Sequence, residues 1–246
     1  MSAVLVIAGS DSSGGAGLAR DLRTLADLEV SALCALTAVT AQTDAAVLAV
    51  HVIPEATLRA QIAAAFSTRA VAVVKIGMLA TAASVRAVAE SLAAHRPVPL
   101  VLDPVLVSSS GTALLDAAGR EALLKQLLPQ AALITPNIPE AATLLGQSAA
   151  RDESDALGQA QQLLARGARA VLLKGGHARG PECVDLLLIR DRPLERLTSP
   201  RQDVRLRGTG CALAAAIAAY LAQGLELPVA CARAKVYVTA LLQRRL

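Results

Sequence analysis

Short apolar segments alternate with segments of helical periodicity along most of this chain. The apolar segments at residues 4–8, 71–76 and 100–102 have the composition of strands that are buried on both faces. A helical segment follows the first of them, with leucines spaced three or four residues apart between residues 18 and 28. This alternation predicts an α/β fold, in which helices cover both faces of a central, mostly parallel sheet.

The remaining elements follow from the same periodicity. Further strands are predicted at residues 33–40, 48–53, 132–134 and 171–173, with a hairpin formed by 183–189 and 194–197. Further helices are predicted from Pro54, at 81–95, from Asp116, at 153–165 and in two closing segments after residue 207. No composition break, long linker or internal repeat divides the 246 residues, so we expect one domain spanning residues 1–246.

The composition argues against a nucleic-acid partner. Hydrophobic residues make up 54% of the chain and aromatic residues 1%, so the core must pack Ala, Leu, Val and Ile closely between layers. The net charge of +4 is carried mostly by Arg, without a Lys/Arg block. Phe66, Tyr220 and Tyr237 are the aromatic residues, too few for base-stacking platforms. The mild basicity instead fits an anionic ligand or a solvated surface.

The cysteines and the apolar runs indicate a soluble, cytoplasmic protein. Cys34, Cys183, Cys211 and Cys231 show no CxxC spacing, which favours reduced thiols. The N-terminus enters an apolar run without a basic region or a cleavage site, so we expect a strand there and not a signal peptide. The longest apolar run, residues 212–222, is shorter than the ~20 residues of a membrane span.

A glycine turn at residues 207–211 leads directly into that alanine-rich run. Unpaired N–H groups and the helix dipole at such a turn favour an anion, usually a phosphate. Cys211 stands at the lip of this turn, where we expect the pKa of a thiol to fall. The alternative interpretation is a plain turn before a buried helix, with Cys211 as a small core residue. A second glycine-rich loop, residues 9–17, matches neither a P-loop nor a GxGxxG site, and a plain strand-to-helix turn explains it equally well.

Polar residues follow the carboxyl ends of several predicted strands. They are Asp11, Gln42, Asp103, Asn137 with Glu140, and Lys174. Singly, each is explained by a solvated loop or a helix cap. Together with the anion turn they predict a phosphate-handling site along one sheet edge, where open α/β sheets hold ligands.

The chain resembles the ribokinase-type small-molecule kinases and, among them, the hydroxymethylpyrimidine/phosphomethylpyrimidine kinases of thiamine biosynthesis. The motifs that carry the resemblance are residues 8–17 (AGSDSSGGAG), 40–43 (TAQT), 75–79 (KIGML), 101–105 (VLDPV), 133–141 (LITPNIPEA), 174–177 (KGGH) and 208–211 (GTGC). The resemblance implies a ribokinase-like fold and ATP-dependent phosphorylation of an aminopyrimidine alcohol to its monophosphate and then its diphosphate.

The same resemblance implies roles for individual residues. Gln42 would hydrogen-bond the polar edge of the aminopyrimidine, in a pocket shaped by Gly9, Asp21 and Met78. Cys211 would take the proton of the substrate hydroxyl as it attacks the γ-phosphorus of ATP. The remaining roles are charge stabilisation by the N–H groups of Gly208, Thr209, Gly210 and Cys211, ATP binding by Asn137, Lys174 and Thr209, and Mg²⁺ binding by Asp103 and Glu140. A homodimer is also implied.

The chain departs from the family pattern just before the turn. Arg207 stands where relatives commonly carry His, and Leu206 replaces a usual Thr. Three alternatives remain: a pyridoxal kinase of the same fold, a non-catalytic pyrimidine-binding regulator, and a dinucleotide-dependent oxidoreductase. Gln42 and Met78 favour the pyrimidine over pyridoxal, and the missing GxGxxG disfavours the oxidoreductase.

Overall fold

The computed structural model describes residues 3–95, 98–108, 110–175, 181–202, 204 and 206–244. Two residues of the motif at 174–177, Gly176 and His177, lie outside these ranges. Among the described helices, none combines the length and the hydropathy that crossing a bilayer requires.

The strands within these ranges form one nine-stranded sheet. They are β1 (Ala3–Asp11), β2 (Ser31–Gln42), β3 (Val47–Val52), β4 (Val71–Ile76), β5 (Leu100–Leu102), β6 (Leu133–Ile134), β7 (Ala170–Leu173), β8 (Glu182–Ile189) and β9 (Glu195–Pro200). Their order is β3-β2-β1-β4-β5-β6-β7-β8-β9. The six strands from β2 to β7 in this order are parallel, while β3, β8 and β9 extend the two edges in antiparallel fashion. The predicted mostly parallel sheet and its terminal hairpin are confirmed.

Helices cover both faces of this sheet, as predicted. They are α1 (Gly17–Asp27), α2 (Glu55–Thr68), α3 (Ala82–Ala93), α4 (Ala117–Ala122), α5 (Ile138–Leu145), α6 (Glu153–Ala165), α7 (Thr209–Ala222) and α8 (Leu227–Gln243). A π-helical segment and a 3-10 turn continue α4 as far as residue 130.

The side chains of β1 show how the sheet divides the interior into two cores. Leu5 and Ile7 pack with α2 to α6, whereas Val4, Val6 and Ala8 pack with α1, α7 and α8. Successive side chains of a strand point to opposite faces, so one apolar strand serves both cores. α7 lies between the sheet, α1 and α8, and every residue from 212 to 219 is buried. Its apolar composition on all sides fits this buried position.

Two local predictions need correction. The predicted loop at residues 9–17 begins only after Asp11, because β1 continues through a register shift between Ala8 and Ser10. α5 was not predicted at all. It begins directly after β6, with Asn137 as its N-cap, and ends at Gly146 in the left-handed conformation, so it falls between elements that the apolar periodicity did detect.

Candidate active site

The carboxyl ends of the parallel strands surround a cavity of about 420 Å³. The predicted site residues that line it are Gly9, Gln42, Met78, Asp103, Asn137, Glu140, Lys174, Gly208, Thr209, Gly210 and Cys211. The structure thus brings together residues from seven separate segments of the chain. Asp21 lies on α1 behind the cavity wall and reaches the cavity through Lys75, which does line it.

The turn before α7 depends on close contact between two glycine-rich segments. Gly208 has a φ of +73°, in the left-handed region that glycine adopts readily. A Cβ on Gly208 would overlap the carbonyl oxygen of Gly15 and would lie 3.0 Å from the Cα of Ala16. The loop after β1 and the turn before α7 therefore approach each other through their backbones.

This turn presents backbone donors to the cavity. The hydrogen bond that closes the first turn of α7 runs from Ala212 N–H to the Gly208 carbonyl, at 2.8 Å. The N–H groups of Thr209, Gly210 and Cys211 precede it and belong to the orphan donors at a helix start. Because the helix dipole adds positive charge at the same place, this wall of the cavity favours an anion.

The close approach at Gly208 leads to a stability prediction with a matched control. Gly146→Ala places a Cβ in open space at a φ of +68°, and we expect it to lower the free energy of unfolding by about 1 kcal/mol. Gly208→Ala adds a clash with the neighbouring backbone at a similar φ, so its loss should be larger by about 1–3 kcal/mol. Urea denaturation measures both. Equal losses would contradict the proposed backbone contact.

Cys211 lines the cavity in the first turn of α7 and is half-buried. Burial raises the pKa of its thiol to about 11, although the ammonium of Lys75 lowers it. Asp21 and Asp103 raise this pKa further, and the N–H of Gly17 lowers it. The predicted fall of the thiol pKa is therefore wrong for the ligand-free protein, because desolvation outweighs the favourable charges.

Lys75 and Asp21 form an ion pair that has no exposure to solvent. Lys75 Nζ lies 2.7 Å from Asp21 Oδ2, and both side chains are fully buried. Burial raises the pKa of Asp21 to about 6, although Lys75 lowers it. Sequence reasoning assigned no role to Lys75. The signal was a lysine inside an apolar strand, since lysine is almost never fully buried without a partner.

A second set of charges lies at the ends of β5 and β7. Lys174 Nζ lies 3.0 Å from Asp103 Oδ1 and 3.8 Å from Glu140 Oε2. Thr135 Oγ1 donates a hydrogen bond to Asp103 Oδ1 at 3.2 Å. Burial alone would raise the pKa of Asp103, but Lys174, Lys75 and Thr135 hold it below its usual value. Burial raises the pKa of Glu140, although Lys174 lowers it.

Asn137 and Glu140 form a capping box at the start of α5. Glu140 N–H donates to Asn137 Oδ1 and Asn137 N–H donates to Glu140 Oε2, each at 2.8 Å. The box fixes both side chains beside the cavity. It also means that both residues have a structural role in addition to the ligand roles that the resemblance implies.

The opposite end of the cavity is formed by Gly9, Gln42 and Met78. A Cβ on Gly9 would lie 2.9 Å from Met78 Sδ, so the glycine leaves space for the methionine. Thr37 Oγ1 donates to the Met78 carbonyl at 2.6 Å, and Thr40 Oγ1 donates to Gln42 Oε1 at 3.3 Å. This end therefore combines an apolar thioether with an amide that offers both a donor and an acceptor.

Arg207 joins three loops around the mouth of the cavity. Its Nη2 lies 3.1 Å from Asp11 Oδ2, and its Nη1 lies 2.9 Å from Asp44 Oδ1 and 2.8 Å from Ser13 Oγ. Arg207, which stands where relatives commonly carry His, thus links the loop after β1, the loop after β2 and the turn before α7.

A larger cavity of about 620 Å³ adjoins the first across this turn. Both cavities are lined by Lys174, Leu206, Arg207, Thr209 and Gly210. The far wall of the larger cavity is formed by β8, β9, α7 and α8. The residues that line it there include Cys183, Ser199, Leu213, Val238 and Leu242. Two ligands can therefore meet at the N-terminus of α7, one from each side.

Solved structures that are similar to this chain include small-molecule kinases. The phosphomethylpyrimidine kinase of Clostridium difficile 630 is 36% identical, with a TM-score of 0.86, and the match covers 98% of this chain and 100% of that one. The pyridoxal kinase of Staphylococcus aureus, solved with AMP-PCP and pyridoxal, is 32% identical, with a TM-score of 0.88 over 97% of this chain and 87% of that one. The fold and the site place the chain in the class of ribokinase-like kinases, which are phosphotransferases.

Sequence comparison narrows this class. The family model "Phosphomethylpyrimidine kinase" matches residues 11–246. The hydroxymethylpyrimidine/phosphomethylpyrimidine kinase of Rhizobium meliloti is 44% identical over 237 residues, which are 96% of this chain and 88% of that protein. The chain belongs to the phosphomethylpyrimidine kinase family.

Proposed function

We propose that this protein phosphorylates 4-amino-5-hydroxymethyl-2-methylpyrimidine with ATP, first to the monophosphate and then to the diphosphate, in thiamine biosynthesis or salvage. The observation that carries the proposal is the pair of cavities that share the N-terminus of α7. The smaller cavity has a volume typical of small-molecule sites and takes the pyrimidine against Gln42 and Met78. The larger one takes the nucleotide, with its phosphates directed towards Lys174 and the N–H groups of residues 209–211.

In this arrangement Cys211 receives the proton of the substrate hydroxyl as the oxygen attacks the γ-phosphorus. The N–H groups of the turn and the Lys174 ammonium stabilise the negative charge of the transferred phosphoryl oxygens. Phosphoryl transfer depends mainly on such positioning and charge stabilisation. Asn137 and Thr209 complete the contacts to the ATP phosphates.

Two carboxylates that line the smaller cavity, Asp103 and Glu140, also fit Mg²⁺, which the kinase fold implies. Thr135 and Lys174 donate hydrogen bonds to Asp103 Oδ1, and the N–H of Asn137 donates one to Glu140 Oε2. The second oxygen of each carboxylate has no hydrogen-bond partner among the described residues. Two carboxylates fit Mg²⁺ bound together with substrate phosphates and water, and no cluster of three or more His, Cys, Asp or Glu occurs among the described residues. When bound, the ion would neutralise phosphate charge, and Asp103 and Glu140 would hold it.

Turnover of two alcohols tests the proposal. The purified protein is incubated with ATP and either the hydroxymethylpyrimidine or pyridoxal, and the mono- and diphosphate products are separated. We expect kcat/KM to be higher for the pyrimidine, with both pyrimidine phosphates formed in sequence. Preference for pyridoxal would favour the second candidate, which the similarity to pyridoxal kinase structures supports. ATP consumption that does not depend on either alcohol, or the absence of any ATP consumption, would contradict both kinase assignments.

We further propose that the protein is a homodimer that uses the β3 edge of the sheet. On this edge strand Leu48 and Val50 are 70% and 42% exposed, and on the neighbouring β2 Val39 is 44% exposed. An unpaired edge strand with exposed apolar side chains favours pairing with another chain. The four free cysteines support action in the cytoplasm.

Leu48→Glu tests the dimer. A buried carboxylate at a symmetric interface is repelled by its own copy, so we expect the dimer dissociation constant to rise at least about tenfold (~1.4 kcal/mol). Val236→Glu on α8 is the control, because Val236 is 69% exposed and lies outside this edge. Light scattering after size-exclusion chromatography measures both masses. A monomeric wild-type protein, or equal behaviour of the two variants, would contradict the proposed interface.

A further inference from the structure

We propose that Lys75 and Asp21 are positioning residues for Cys211, with Lys75 as the counter-cation of the Cys211 thiolate and Asp21 limiting how strongly that cation acts on the sulfur. This inference rests on the proposed role of Cys211 as the base. It concerns one residue that lines the cavity, Lys75, and one that lies behind the cavity wall, Asp21.

The position of Lys75 follows from strand geometry. Val73, two residues earlier on β4, packs in the core formed with α7. Lys75 points to the same face, because side chains two apart on a strand share a face. α7 packs directly against β4, and Lys75 and Cys211 line the same cavity. The ammonium therefore lies beneath the first turn of α7.

A cation at this place is unfavourable for stability. It lies beside the positive end of a helix dipole and has no access to water. Buried ion pairs rarely stabilise a fold more than apolar residues of the same size would. A strand that reads Val-Ala-Val-Val-Lys-Ile could have completed its apolar pattern at residue 75. The lysine is therefore explained better by an anion formed nearby than by folding.

Asp21 satisfies only part of the hydrogen-bonding capacity of Lys75. Its Oδ2 lies 2.7 Å from Lys75 Nζ, whereas its Oδ1 is buried without a hydrogen-bond partner among the described residues. The Lys75 ammonium has three N–H donors, and among the described residues its hydrogen bond to Asp21 uses one of them. Lys75 thus keeps the capacity to pair with a second anion, and the Cys211 thiolate is the group that can appear on the cavity side.

The charged groups around Cys211 act in opposite directions. Lys75 from β4 favours the thiolate, whereas Asp21 from α1 and Asp103 after β5 disfavour it. Lys174 after β7 also interacts with the sulfur. Because Lys75 and Asp21 belong to one ion pair, loss of either partner would have a similar structural effect. Their electrostatic effects on Cys211 are opposite, and this difference makes the inference testable.

The experiment measures the pH dependence of Cys211 alkylation by iodoacetamide in the metal-free, ligand-free full-length protein, with mass spectrometry of the Cys211 peptide. We expect Lys75→Met to slow alkylation at pH 8.5 at least about threefold, because the thiolate loses its cation. We expect Asp21→Asn to accelerate it by at least about the same factor, because the thiolate replaces the carboxylate as the anion of Lys75. Cys183 on β8 is the internal control and should not change.

Asp21→Asn is the more decisive variant. Asparagine keeps the shape of the side chain and an oxygen that can accept a hydrogen bond from Lys75. If Lys75→Met alone does not fold, the double variant Lys75→Met/Asp21→Asn restores the charge balance. The gain with Asp21→Asn must then disappear in the double variant. Unchanged alkylation with Asp21→Asn, or a slowing, overturns the inference. Since no substrate is present, this failure is distinct from failure of the kinase assay.

Discussion

Cys211→Ala is expected to slow phosphorylation of the hydroxymethylpyrimidine by about 10²–10⁴-fold, the usual contribution of a general base. Phosphorylation of the monophosphate should slow much less. The alcohol must lose its proton to attack, whereas a phosphomonoester already carries most of its negative charge near neutral pH. The substitution therefore separates the role of the sulfur as a base from the role of the turn that carries it.

The two steps are measured separately, each starting from its own acceptor. Cys34→Ala is the control, because Cys34 is an exposed thiol on β2 that does not line either cavity. Equal loss in both steps would indicate that Cys211 only positions the substrate.

The same assignment predicts a pH profile for the first step. Since burial raises the pKa of Cys211 to about 11 in the ligand-free protein, the thiol is the major form at neutral pH. The thiolate fraction then grows with pH, so kcat/KM for the alcohol should rise by up to about tenfold per pH unit from neutral pH upwards. In Cys211→Ala this rise should be absent.

Lys174→Met is expected to have the second largest effect. The variant removes the cation at the junction of the two cavities, and we expect kcat/KM for ATP to fall by about 10²–10³-fold, as for the loss of a preorganised donor. It also leaves Asp103 and Glu140 close together without their shared cation. Removing one partner of a buried pair costs about 3–5 kcal/mol, so the free energy of unfolding should fall as well.

Lys125→Met is the matched control, because the Lys125–Glu121 pair is exposed to solvent and its loss should change the free energy of unfolding little. The pKa of Asp103 is lowered in the folded protein, so its stabilising contribution is present above its usual pKa and is lost as the pH falls through the folded value. In Lys174→Met this acid-side loss should be smaller. Chemical denaturation at several pH values measures it, and wild-type stability in Lys174→Met would contradict the pairing.

Most of the fold could be predicted because strand periodicity and strand length are local properties. Residues 71–76, 100–102 and 153–165 coincide with β4, β5 and α6. The site could be predicted because the carboxyl ends of parallel strands meet at one edge. Once a parallel sheet was expected, Gln42, Asp103 and Lys174 had to lie at the same edge of it, and they line the same cavity.

What could not be predicted depends on contacts between distant segments. The extension of β1 to Asp11 follows from pairing with β2 across a register shift, and apolar periodicity does not report such a shift. The high pKa of Cys211 follows from desolvation of its thiol in the folded protein, whereas a helix N-terminus considered alone predicts a low one. The pairing of Lys75 with Asp21 joins residues 54 positions apart.

α5 was a different kind of omission, because its signals are local. Asn137 and Glu140 have the spacing of a capping box, Pro139 is near the first helical position and Gly146 closes the helix. The ligand roles that the resemblance implies for Asn137 and Glu140 carry no information about a helix cap, whereas the spacing of the two residues does. The two roles are compatible, since a cap holds these side chains rigidly beside the cavity.

A crystal structure of the protein with a non-hydrolysable ATP analogue and the hydroxymethylpyrimidine tests the central claim most directly. We expect the γ-phosphate to accept hydrogen bonds from the N–H groups of Thr209, Gly210 and Cys211, and the substrate hydroxyl to lie within hydrogen-bond distance of Cys211 Sγ. A γ-phosphate bound away from the start of α7, or a hydroxyl directed away from the sulfur, would contradict it.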